Sequence, residues 1–117
     1  MLNFAGKRVY LACGKTDMRK NINGLAAIVE SHFKLDPFAG ALFVFCNYRR
    51  DRLKILVWDV DGFWLCFKRL EKGHFRWPES GQEATMLLSG EELDVLLGGT
   101  RVELKLRRKE VIERQIV

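Results

Sequence analysis

The chain has 117 residues, 48% of them apolar, enough for one domain with a single core. Its 20 Lys and Arg outnumber 15 Asp and Glu, a formal net charge of +5 that favours acidic partners, nucleic acid first. Its apolar runs, such as Ala41 to Cys46, fall far short of the roughly 20 residues of a membrane-spanning helix, and its three cysteines, Cys13, Cys46 and Cys66, sit in apolar runs rather than in a disulfide framework.

The start MLNFAGKRVYL lacks the apolar segment and cleavage site of a secretory leader, so a reducing cytoplasm is the expected compartment. The first element is a strand over Arg8 to Cys13, where Val9, Leu11 and Cys13 alternate with their neighbours. After Gly14, Thr16 reads as the N-cap of a long helix running to about Lys34, with Asp17 in its first turn. Met18, Ile22, Leu25, Val29 and Phe33 form one apolar stripe along it. Gly24 within that helix suggests close packing against a sheet.

Pro37 and Gly40 end the helical pattern, and three strands follow: Ala41 to Asn47, Leu53 to Asp59 and Phe63 to Leu70. Asp61-Gly62 suits the central positions of a type I′ turn. That turn pairs Trp58 with Leu65, Leu56 with Phe67, Lys54 with Arg69, and Val57 with Cys66. Both faces of the hairpin are largely apolar, so later elements or a partner chain must cover the second, and self-association is expected. A further short strand at His74 to Trp77, an apolar run at Thr85 to Leu88 and a helix opened by the Ser89/Glu92 capping box complete the pattern. Leu93, Leu96 and Leu97 line that helix, Gly98 and Gly99 end it, and about 100–117 forms a charged strand and tail. The expected class is α+β: an antiparallel meander of four to five strands, one long N-terminal helix and a short C-terminal one, in a single domain over 1–117.

Most chemical motifs dissolve on inspection. Gly14-Lys15-Thr16 resembles the end of a phosphate-binding loop, but Val9 stands where its first glycine belongs and Asp17 brings a carboxylate to the phosphate position. Asp59 and Asp61, with Asp17 or Asp51, suggest a two-metal nuclease, yet Asp before Gly is what the hairpin turn itself requires. No cysteines form a C-x-x-C pair, and His32 and His74 have no neighbouring ligand, so neither metal nor cofactor is expected. The basic clusters NYRRDRLK and KRLEKGHFRW are different: cations suited to phosphates alternate with Tyr48, His74 and Trp77, which suit base stacking. A solvated hairpin whose cations pair with Asp51 and Glu71 is the competing reading.

Two segments, YLACGKTDMRKNINGLAAIV and GALFVFCNYRRDRLKILVWDVDGFWLCFKRLEKGHFRWP, together resemble the small accessory protein, TnpB, of bacterial insertion sequences of the sixty-six family. The resemblance spans roughly Val9 to Leu97 and departs from the family pattern at Cys66-Phe67 and after Gly99. It implies a protein that assists a separate transposase in DNA transposition and is not itself an enzyme. Its implied partners are the element ends and the transposase. Matching positions with suitable chemistry are Arg19 and Lys20, then Arg49, Arg50, Arg52 and Lys54, and finally Lys68, Arg69, Lys72 and Arg76. An adaptor that binds protein without touching DNA is the alternative, and a metal-dependent nuclease a more distant one.

Overall fold

A computed structural model describes residues 6–98. The strand and tail expected over 100–117 lie outside the described residues. The described chain runs β1 (Val9–Ala12), α1 (Ile22–Ala27) continuing into a π-helical turn (Ile28–His32), β2 (Leu42–Cys46), β3 (Arg52–Asp59), β4 (Gly62–Arg69), β5 (Thr85–Leu88) and α2 (Gly90–Leu97). The α+β class holds, but the sheet is mixed rather than a meander. Its order is β4-β3-β2-β1-β5, with β1 parallel to β2 and every other neighbouring pair antiparallel. Parallel strands need a crossover, and the chain between β1 and β2 supplies it with α1.

The helix is much shorter than the stripe suggested. Thr16 donates its N–H to the Cys46 carbonyl, which ties it to the end of β2. Asp17 closes a local turn by accepting the Arg19 N–H at 2.9 Å, and the Lys54 ammonium takes the carbonyls of Met18 and Lys20 at 2.8 and 2.9 Å. Carbonyls so occupied are drawn away from a helical ladder, and Asp favours such local turns. The helix therefore starts at Ile22 after Asn21. The stripe survives: Leu25 and Val29 are buried, with Met18, Ile22 and Phe33 half-buried beside them, over Phe43, Phe45 and Leu56. Gly24 serves another neighbour than expected, since a Cβ there would meet the Lys20 side chain at 3.3 Å rather than the sheet.

The β3/β4 hairpin forms in a shifted register. Asp59 pairs with Gly62, which puts Val60 and Asp61 in the turn, Trp58 opposite Phe63, Leu56 opposite Leu65, and Lys54 opposite Phe67. Val57 meets Trp64, and Cys66 meets Ile55. Val60 adopts a φ of 53°, and the Asp61 N–H bonds back to the Asp59 carbonyl. The shifted register also lets Phe63 pack edge-on against Trp58 at 5.0 Å, with Phe38 closing the cluster at 5.1 Å from Trp58 and 5.4 Å from Phe63. A shift of two residues leaves every side chain on its expected face, so the hydrophobic pattern could not distinguish the registers.

The second apolar face is covered from within the chain. Leu70, Phe75, Trp77, Leu93, Leu96 and Leu97 pack over Val9, Leu11, Val44, Leu53, Ile55 and Val57. His74 to Trp77 is not a strand. It is held instead by the Phe75 N–H on the Arg50 carbonyl and by the Trp77 indole N–H on the Ala12 carbonyl, both short, at 2.7 and 2.8 Å. The run at Thr85 to Leu88 pairs with β1 as an edge strand. The capping box of α2 forms as its residues specify, Ser89 Oγ accepting from the Glu92 N–H and the Glu92 carboxylate from the Ser89 N–H.

Candidate nucleic-acid interface

At one end of the sheet, the loop after β1, the β2/β3 loop and the chain after β4 meet. Asn47 builds the middle one. Its Oδ1 accepts the N–H groups of Asp51 and Arg52 at 3.1 and 3.0 Å, and its Nδ2 donates to Asp51 at 2.7 Å. That last bond holds the Asp51 carboxyl below its ordinary range. Neighbouring segments are stitched on by the Leu70 N–H to the Asp51 carbonyl, His74 Nδ1 against the Arg49 carbonyl, and the Gly14 N–H to the Pro78 carbonyl.

Ten basic positions were expected at the interface, and the structure sorts them into distinct roles. Arg50 is a tie within the fold: its side chain is only 18% exposed, pairs with Glu79 at 3.1 Å and reaches the Gly14 carbonyl. Its own φ is 64°. Lys54 points inward, as described, with Asn21 Oδ1 a third oxygen at 3.4 Å. Lys68 donates to the Leu97 carbonyl in the last turn of α2, where a cation complements the helix dipole. Arg19 grips Asp17 with two nitrogens, which holds that carboxyl down at about 2. Arg69 pairs with Glu71 at 2.8 Å.

Lys20, Arg49, Arg52, Lys72 and Arg76 are exposed and carry no ion pair among the described residues. The opposition of like charges expected for Lys54 and Arg69 falls instead on Arg52 and Arg69, which face each other directly in the ladder. Such a pair gains from an anion between its members.

The structure adds Lys15, which the basic clusters do not include. Its ammonium sits 5.5 Å from the centre of the Tyr48 ring, and Tyr48 is 78% exposed. The signal available was its place just after β1, where the chain turns at the same sheet end as the β2/β3 loop. A cleft of about 410 Å³ opens beside it, lined in part by Lys15, Thr16, Lys20, His32 and Gln82 together with the carboxylates of Asp17 and Glu83. Of the aromatics, Tyr48 and His74 are exposed, whereas Trp77 is half-buried against the core.

The carboxylates considered for metal chemistry do not converge. Asp59 accepts a hydrogen bond from the Trp64 indole at 3.1 Å, and among the described residues no three His, Cys, Asp or Glu side chains come together as a metal site. Burial pushes the Cys46 thiol up to about 11 and raises those of Cys13 and Cys66, the opposite of an activated nucleophile. No helix among the described residues is long and apolar enough to cross a membrane.

A family model described as "IS66 Orf2 like protein" matches residues 7–107. The uncharacterized protein y4jC of Sinorhizobium fredii is 39% identical over 103 residues, covering 86% of this chain and 87% of its own. A second protein of that organism, the uncharacterized y4hO, is 40% identical over 92 residues, 79% of each chain. No solved structure matches.

Proposed function

Because the chain belongs to the IS66 Orf2-like family of insertion-sequence accessory proteins, we propose that it assists transposition by holding element DNA through the basic sheet end while the transposase performs the chemistry. The observation that carries this reading is the set of exposed cations, Arg49, Lys72 and Arg76, with no ion pair among the described residues, on segments that the His74 and Phe75 hydrogen bonds clamp together. Unpaired cations release counterions when they meet phosphates, whereas cations already paired with carboxylates gain less. Arg52 and Lys20 extend the surface toward the α1 face, and Tyr48 offers an exposed ring to an unstacked base.

Binding of element-end DNA fragments should weaken steeply with salt. Replacing Arg49, Lys72 and Arg76 by Ala should lower the slope of log K against log salt by about 0.9 for each phosphate that no longer has a cation beside it. Binding that ignores salt, or that survives the triple substitution unchanged, overturns the proposal.

A second reading has its own observation. Met86 on β5 and Val95 on α2 are exposed apolar side chains on neighbouring elements of one sheet face. They suit a protein partner, the transposase being the one at hand. Co-purification of the transposase in the absence of DNA, abolished in Met86→Asp, supports this adaptor role, and no association rejects it.

A further inference from the structure

The β4 strand forms one edge of the sheet, and no described element pairs with its outer side. It is eight residues long, with no proline, and carries two large exposed side chains, Trp64 at 52% and Phe67 at 55%. Alternate residues of an edge strand direct N–H and C=O groups away from the sheet, a template for another strand. Natural edges of this length are usually blunted by charge. Here the charges sit at the two ends and have opposite sign: Asp59 and Asp61 at the turn, Lys68 and Arg69 at the far end.

We propose that β4 pairs antiparallel with β4 of a second copy of this chain, making a continuous ten-stranded sheet about a two-fold axis through Leu65. An axis perpendicular to the sheet keeps each face on its own side, so opposed residues must both be odd-numbered or both even-numbered. With Leu65 on the axis, Phe63 meets Phe67 of the second copy, which covers the exposed ring with an aromatic partner. The same register brings Asp61, whose carboxylate has no partner among the described residues, against Arg69 of the second copy. The guanidinium has donors enough for Asp61 beside its present contact to Glu71. Moving the axis to Cys66 sets Phe63 against Arg69 and Trp64 against Lys68 and leaves Asp61 unmatched. Charge and aromatic complementarity therefore select the same register.

The dimer stands independently of nucleic-acid binding. Together with it, the two-fold turns the basic ends of the two copies to opposite extremities of the sheet, so that one dimer holds two DNA segments.

Sedimentation of the full chain without DNA tests the pairing. The wild-type chain should sediment as a dimer at micromolar concentration. Asp61→Arg and Arg69→Asp, each counted twice by symmetry, should each weaken it about tenfold or more. The double variant, with the charges exchanged, should restore it. Circular dichroism checks that each variant is folded, which is expected because both positions are exposed. A monomeric wild-type chain, a dimer insensitive to the single reversals, or a double variant that does not recover overturns the proposal.

Discussion

The Nζ of Lys54 lies 2.9 Å from the carbonyl oxygen of Lys20, so a cation in the middle of β3 holds the chain that leads into α1. The carbonyl of Met18 is held by the same ammonium, and no helix or strand among the described residues supplies either oxygen with a partner. Lys54→Met keeps the aliphatic stem but deserts both acceptors. It should cost about 1–3 kcal/mol, read as a lower urea midpoint at unchanged slope. DNA affinity of the folded variant should stay within about twofold of wild type, unlike that of the Arg49, Lys72 and Arg76 variant. A loss of affinity with no loss of stability would show that Lys54 faces outward.

Val60 is a β-branched residue at positive φ and 90% exposed. The conformation is strained, and no buried contact offsets it. Val60→Asn, a residue that tolerates this region, should raise stability by about 0.5–1 kcal/mol and the melting temperature by a few degrees. A neutral or destabilising outcome would place the turn elsewhere, as in the Asp61-Gly62 register.

Cys46 is fully buried, and desolvation pushes its thiol up to about 11 from 9.0. A folded pKa above the unfolded one means that its contribution to stability is present below about 9 and is lost as pH rises through 11. At about pH 8 a thiol reagent should modify Cys13 and Cys66 first. Cys46 should react only at the rate of opening, accelerating in urea. Prompt reaction of all three would contradict the burial.

The Asp17 carboxyl, gripped by Arg19, should titrate at about 2 when followed by carboxyl carbon shifts. Arg19→Ala should return it toward 3.8. Since the folded value is depressed, the pair helps only above that unfolded value, and its help disappears as pH falls through about 2. Both groups are exposed, so the effect on stability should be close to nothing. A measurable drop in stability at neutral pH in Arg19→Ala would mean that the turn before α1 depends on the pair.

Local chemistry was legible wherever a few adjacent residues decide. The alternation of Val9 and Leu11, the stripe through Leu25 and Val29, and the Ser89/Glu92 box all stand in the structure where their spacing put them. What failed were features that depend on distant partners. Thr16 looks like a cap until the end of β2 takes its N–H, and Trp77 looks like a stacking ring until the carbonyl of Ala12 is found beneath it.

The same division runs through the basic residues. The sequence by itself determined the excess of cations, their interleaving with aromatics in the two clusters, and the family, because these depend only on which residues occur and in what order. Only the tertiary structure decided which cations are spent internally: Arg50 on Glu79, Lys54 on the approach to α1, Lys68 on the end of α2. It also decided that Arg49, Lys72 and Arg76 carry no ion pair among the described residues, on segments held side by side. The reason is physical. A cation's availability depends on which carbonyl or carboxylate lies within about 3 Å of it, and those partners come from segments up to tens of residues away.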